Sequence, residues 1–145
     1  MATVELRFSA LPEHVRTARL VAAAVARRAG VDEAVLDEVR LAVGEACSRA
    51  VGLHQHGGIS APVRVLLTEE EKQFSIEVGD EAPHAPVRAR SADEVLGDPD
   101  AESEEDEMGL AVISGLVDDV EVSAGENGGS IRMRWPTTPP AAQFT

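Results

Sequence analysis

The run Val39-Arg40-Leu41-Ala42-Val43-Gly44-Glu45-Ala46-Cys47-Ser48-Arg49-Ala50-Val51 decides how the rest of the chain is read. Val39, Val43, Ala46 and Ala50 recur at three- and four-residue spacing, which places them on one stripe of a helix. Val35 and Leu36 carry the stripe back to Asp32, a residue suited to accept from the free N–H groups of a helix start. Forward, the helix runs toward His54-Gln55-His56-Gly57-Gly58, where glycine permits a left-handed C-cap. Upstream, Pro12 suits a helix start because its missing N–H costs nothing there. His14 to Ala29 then shows Val15, Ala18, Val21 (or Ala22) and Val25 at helical spacing and stops at Gly30.

Beyond these two helices the period changes. Val4-Glu5-Leu6-Arg7-Phe8 alternates apolar and polar, as a half-buried strand does. Val63 to Thr68 and Phe74 to Val78 read as a hairpin turning at Glu69-Glu70-Glu71-Lys72. From Ala82 to Glu107 the periodicity disappears, and Pro83, Pro86 and Pro99 mark an irregular segment. Gly109 to Val117 reads as a short buried helix, and Val120 to Val122 and Ile131 to Trp135 as closing strands around Gly125-Glu126-Asn127-Gly128-Gly129. The Pro-rich stretch 136–145 reads as a flexible tail. The order β-α-α-β-β-loop-α-β-β predicts an α+β two-layer sandwich, a mostly antiparallel sheet with helices packed on one face.

At 145 residues this is a single domain, 1–135, with the tail appended. The net charge of −13 argues against nucleic acid and anionic membranes as partners. Nine acids and no base lie between Asp93 and Glu107, so the rest of the chain carries only −4. That run reads either as a solvated loop or as an arm for a basic partner. Cys47 is the only cysteine, which excludes an internal disulfide and favours a reducing, cytoplasmic setting. No basic-then-apolar leader opens the chain, and the Leu20 to Ala26 run is too short to span a bilayer.

Three motifs make the chain resemble the anti-sigma factor serine/threonine kinases of bacterial partner switching. These are small members of the GHKL, or Bergerat-fold, ATPases with a HATPase_c-like domain. The helix quoted at the outset resembles the family's N-box, Glu-Ala-x-x-Asn-Ala. Ile76 to His84 stands where a strand ends in Asp-x-Gly-x-Gly, and Glu107-Met108-Gly109-Leu110 where Gly-x-Gly-Leu opens a helix. The resemblance covers Val4 to Trp135. It implies Glu45 at the general-base position, Asp80 at the adenine-reading position and Gly109 at the last glycine of the phosphate-capping helix start.

The same resemblance identifies the departures. Arg49 stands in place of the magnesium-binding Asn, and a guanidinium has no acceptor with which to ligate a metal. Ala82 and His84 replace two glycines, and Glu107 replaces a third, putting an anion where phosphate would lie. At an effective dielectric of 20, two like charges 4 Å apart repel by about 4 kcal/mol. The expectation is a vestigial nucleotide site: no catalytic residue, no metal, no cofactor, and degenerate contacts at Glu45, Asp80 and Gly109. The implied function is an anti-sigma factor binding a sigma factor, a STAS-domain anti-anti-sigma factor, or both, as a homodimer. The alternative is an active serine kinase using ATP and magnesium on the STAS protein.

Read without the resemblance, the same residues have plainer roles. Glu45 and Arg49 are four apart, the spacing of an ion pair on one helix face. Asp80 suits a turn that bonds its own backbone, a reading that stands beside adenine contact. Cys47 is a small core residue. His54 and His56 read as cations at a helix end or as exposed side chains, with no third ligand to suggest metal.

Overall fold

The computed structural model describes residues 2–83, 87–91 and 104–137, over 87–91 and 104–109 as backbone alone. Strand β1 is Ala2–Phe8, and helix α1 is Glu13–Ala29, ending at Gly30 in the left-handed region. Asp32 is a cap, as its residue type predicts, but of a 3-10 turn over Glu33–Val35. Its Oδ1 accepts the Ala34 N–H at 3.0 Å. Helix α2 therefore starts at Leu36 and runs to Gly57, with Gly58 left-handed at φ 63°.

The hairpin follows as β2, Val63–Glu70, and β3, Gln73–Asp80. Its turn is tighter than expected: Lys72 takes φ 68°, so β2 extends through Glu69 and Glu70 and β3 begins directly after Lys72, with Glu70 opposite Gln73. The segment expected to be irregular contains strand β4, Val87–Ser91. Helix α3, Glu104–Leu116, begins well before Gly109. The last four acids of the acidic segment thus belong to a helix start, where negative charge complements the helix dipole. Residues 92–103 and 138–145, which hold the rest of that segment and most of the tail, lie outside the described residues. Strands β5, Asp119–Gly125, and β6, Gly128–Pro136, complete the chain.

The six strands of the described residues form one antiparallel sheet in the order β1-β2-β3-β6-β5-β4. Alternate residues of its central strands, among them Val65, Leu67, Ile76, Val78, Ile131 and Met133, are buried under the helices. The opposite face is polar: Arg132 reaches Glu77, and Arg134 reaches Asp119 and Glu121. The hydrophobic effect explains the division, since an antiparallel sheet needs only one covered face. In α1 the stripe resolves onto Ala22 rather than Val21, joined by Val15, Ala18, Ala23 and Ala26. Small side chains let α1 lie close to α2, where a Cβ at Gly44 would come within 2.8 Å of the Arg19 side chain. Helix α2 is the central element, packed against α1, α3, β2 and β3. That placement carries its Arg49 toward the end of β3.

Candidate functional site

The end of β3 turns sharply at Asp80. The carboxylate is buried, and its Oδ1 accepts the Ala82 N–H at 2.9 Å, the self-bonded turn expected of the residue type. The other oxygen faces α2, where Arg49 Nη1 lies 4.0 Å from Oδ2. Both side chains are withdrawn from solvent, at 11% exposure for Arg49 and 2% for Asp80. With so little water between them, their attraction is screened far less than that of a surface pair.

This contact corrects one expectation. Arg49 does not pair along its own helix with Glu45 but reaches across to the sheet. Glu45 is half-buried and makes no ion pair among the described residues. Arg49 sits one turn after Glu45, on the flank of α2 that looks toward Asp80, and a guanidinium is long enough to span that gap. The structure therefore brings Arg49 and Asp80 together and leaves Glu45 apart.

The third motif is also displaced. Gly109 lies five residues inside α3, not at its start. Its N–H is therefore engaged in the helix ladder, not presented at a helix end. The helix start belongs to Glu104, Glu105, Asp106 and Glu107, whose negative charge opposes an anion at the terminus. Ala82 is buried beside Asp80, so a Cβ occupies a place where the motif has glycine. His84 lies outside the described residues. As a donor set for magnesium nucleotide, Arg49 offers no metal ligand, and the Asp80 carboxylate already serves Ala82 and Arg49.

One residue that shapes the site escaped the sequence reading. His54 was expected as an exposed or helix-end cation, yet it is fully buried, whereas His56 is exposed. Its Nδ1 lies 2.9 Å from the Ala61 carbonyl, and its Nε2 accepts the Glu81 N–H at 2.9 Å. A carbonyl on one side and an N–H on the other require the neutral ring with its proton on Nδ1. His54 thereby ties the end of α2 to the residue following Asp80. The signal was available: position 54 continues the stripe of Cys47 and Ala50 at four- and three-residue steps. Cys47 itself is buried in the core, and desolvation pushes its thiol up to about 12.

Behind Asp80, Gly128 opens β6 with φ 135°, and a Cβ there would lie 2.2 Å from the Asp80 carbonyl oxygen. The β5–β6 turn is thus pressed against the backbone that holds Asp80. On the helix-free face beside this turn lies an open hollow of about 610 Å³ that includes neither Glu45 nor Arg49. It is floored by small residues such as Gly79, Ser123 and Ser130.

Comparison with known proteins bears on the fold that carries these residues. No curated protein sequence matches the chain. Among solved structures it is similar to the RsbU and RsbW domains of Rv1364c from Mycobacterium tuberculosis, at 16% identity and TM-score 0.67. That likeness covers 97% of this chain and 33% of the other, so the chain spans about a third of the mycobacterial one. It is also similar to the catalytic domain of histidine kinase ThkA in a nucleotide-free form, at 12% identity and TM-score 0.55. Here 96% of this chain and 99% of the other are covered. At such identities the likeness is one of fold, the α+β sandwich described above. Residues 8–135, nearly the whole chain, match the model of the histidine kinase-like ATPase domain, and the chain belongs to that family.

Proposed function

We propose that this chain is an anti-sigma factor of a bacterial partner-switching system that has lost its kinase chemistry. It binds an RNA polymerase sigma factor, a STAS-domain anti-anti-sigma factor, or each in turn, in the cytoplasm and as a homodimer. Similarity to a structure that contains an RsbW domain supports the choice of partner class. The charge of −13 suits the basic DNA- and polymerase-contacting faces that the resemblance implies for a sigma factor.

The observation that carries the loss of activity is the Arg49–Asp80 contact. Arg49 stands where the resemblance has the magnesium ligand, and its positive end is directed at the carboxylate that would read adenine. One substitution thus removes a metal ligand and occupies a base-recognition group. Glu45, free of ion pairs among the described residues, would have no activated phosphoryl group on which to act.

Thermal unfolding with increasing Mg-ATP tests the reading. A nucleotide at 100 times its dissociation constant stabilises a protein by about 2.7 kcal/mol, a shift of several degrees for a domain of this size. The natural chain is expected to show none. The quadruple variant Arg49→Asn, Ala82→Gly, His84→Gly, Glu107→Gly is expected to gain a shift. A clear shift in the natural chain would instead favour an active serine kinase. The partner class is tested by co-purification from the native host, where absence of any sigma factor or STAS protein would overturn it.

A further inference from the structure

Strand β1 lies at one end of the sheet, and among the described residues β2 is its only strand neighbour. Helix α1 packs over β2 and β3, leaving Val4, Leu6 and Phe8 half-buried, though they touch the core. On the opposite face of the strand, Glu5 and Arg7 pair with each other at 3.3 Å, with side chains 40% and 60% exposed. An edge strand presents a row of backbone donors and acceptors, and proteins commonly blunt such edges with like charges that repel a second strand. This edge carries one charge of each sign.

The residue pattern of β1 is complementary to itself when reversed. Laid antiparallel on a second copy with Leu6 opposite the partner's Leu6, it brings Glu5 opposite the partner's Arg7 and Arg7 opposite the partner's Glu5. Val4 then faces the partner's Phe8 on the half-buried side. Shifting by two residues places either Glu5 opposite the partner's Glu5 or Arg7 opposite the partner's Arg7. Shifting by one sets charged side chains against apolar ones. Only the Leu6-centred register satisfies both faces.

We propose that β1 is the homodimer surface of this protein: two copies pair through it about a two-fold axis at Leu6, joining their sheets into one. The pairing is isologous, as a two-fold contact must be. Its ladder satisfies backbone groups that otherwise bond to water, and it completes the burial of Val4, Leu6 and Phe8. The two ion pairs within the strands are exchanged for two between them. The inference rests on the homodimer of the preceding reading for its occupant and supplies the face.

Sedimentation equilibrium of the full chain across a wide concentration range, at low and high salt, is the test. The expected result is a reversible dimer. Glu5→Arg and Arg7→Glu each weaken it by about tenfold, since each sets like charges opposite one another twice. The double exchange Glu5→Arg/Arg7→Glu restores it, because the pattern is again self-complementary. Both side chains are exposed, so the melting temperature of each variant should remain within a few degrees of the natural chain. As a second measurement, amide exchange of residues 3–8 should slow as protein concentration rises. A dimer indifferent to the single reversals, or not restored by the double exchange, would overturn this surface while leaving a homodimer standing. A monomer at every concentration would overturn both.

Discussion

At Asp80 and Arg49 two opposite charges share a site with almost no water, and there one residue matters most. Truncating a partner in a buried pair strands the other charge, at a typical cost of about 3–5 kcal/mol. Arg49→Ala is expected to lower stability toward the smaller figure, the 4.0 Å separation being long for an ion pair. Chemical denaturation would measure it, and a loss below about 1 kcal/mol would mean the contact is incidental. Cys47 offers a pH test. Its thiol is held near 12 in the folded protein by desolvation, against about 9 in the open chain. Between those values the unfolded chain has released a proton that the folded one retains, so stability falls as pH rises above about 9. Cys47→Ala should flatten that alkaline decline, and the native thiol should not react with thiol reagents at neutral pH. What was legible at this scale follows from local chemistry. Asp80 as a self-bonded turn and Cys47 as core were both readable, because each depends on near neighbours. The partner of Arg49 was not, since helix spacing offers Glu45 while the sheet, distant in sequence, offers Asp80.

The hairpins and helix ends show how elements fix the site. The β5–β6 turn bears on the Asp80 carbonyl oxygen, and only glycine at 128 permits that approach. Gly128→Ala adds a steric clash to a backbone conformation that other residues rarely adopt. It is expected to cost about 2–3 kcal/mol, read as a lower melting temperature and faster amide exchange at residues 80–82. Gly125→Ala, where a Cβ meets nothing within 4 Å, serves as the control and should be nearly neutral. His54 works from the other side, linking the end of α2 to Glu81. Periodicity located most of the elements within a few residues, because burial of one face leaves a repeating mark. Strand β4 left only a faint mark: Val87-Arg88-Ala89-Arg90-Ser91 does alternate, but over five residues with Val87 its one strongly apolar side chain and Pro86 before it, and it is a strand because β5 offers it an edge. Helix α3 began earlier than its apolar residues did, since Glu104 to Glu107 are favoured at a helix start by charge, not by burial.

Over the whole molecule the charge is uneven. Nine of the acids lie in 93–107, and five of those fall among residues 92–103, beyond the described part of the chain. If that segment steers a basic partner, replacing the acids from Asp98 to Glu107 with Ser or Gly should slow association and flatten its dependence on salt. Stopped-flow measurements at several ionic strengths would show it, and an unchanged rate would leave the segment without a role in encounter. Among the described residues no helix is long and apolar enough to cross a membrane. The sequence by itself determined the two-layer α+β sandwich, the two long helices and the placing of three motif-like segments along the chain. Each of these follows from the period of apolar residues and from local turn chemistry. The tertiary structure alone decided that Arg49 turns to Asp80, that His54 is a buried tie, that Gly109 lies inside a helix and that β1 is the end strand of the sheet among the described residues. Those are matters of which distant segments meet, and the packing of α2 across the sheet determines them through burial, which spacing along the chain does not encode.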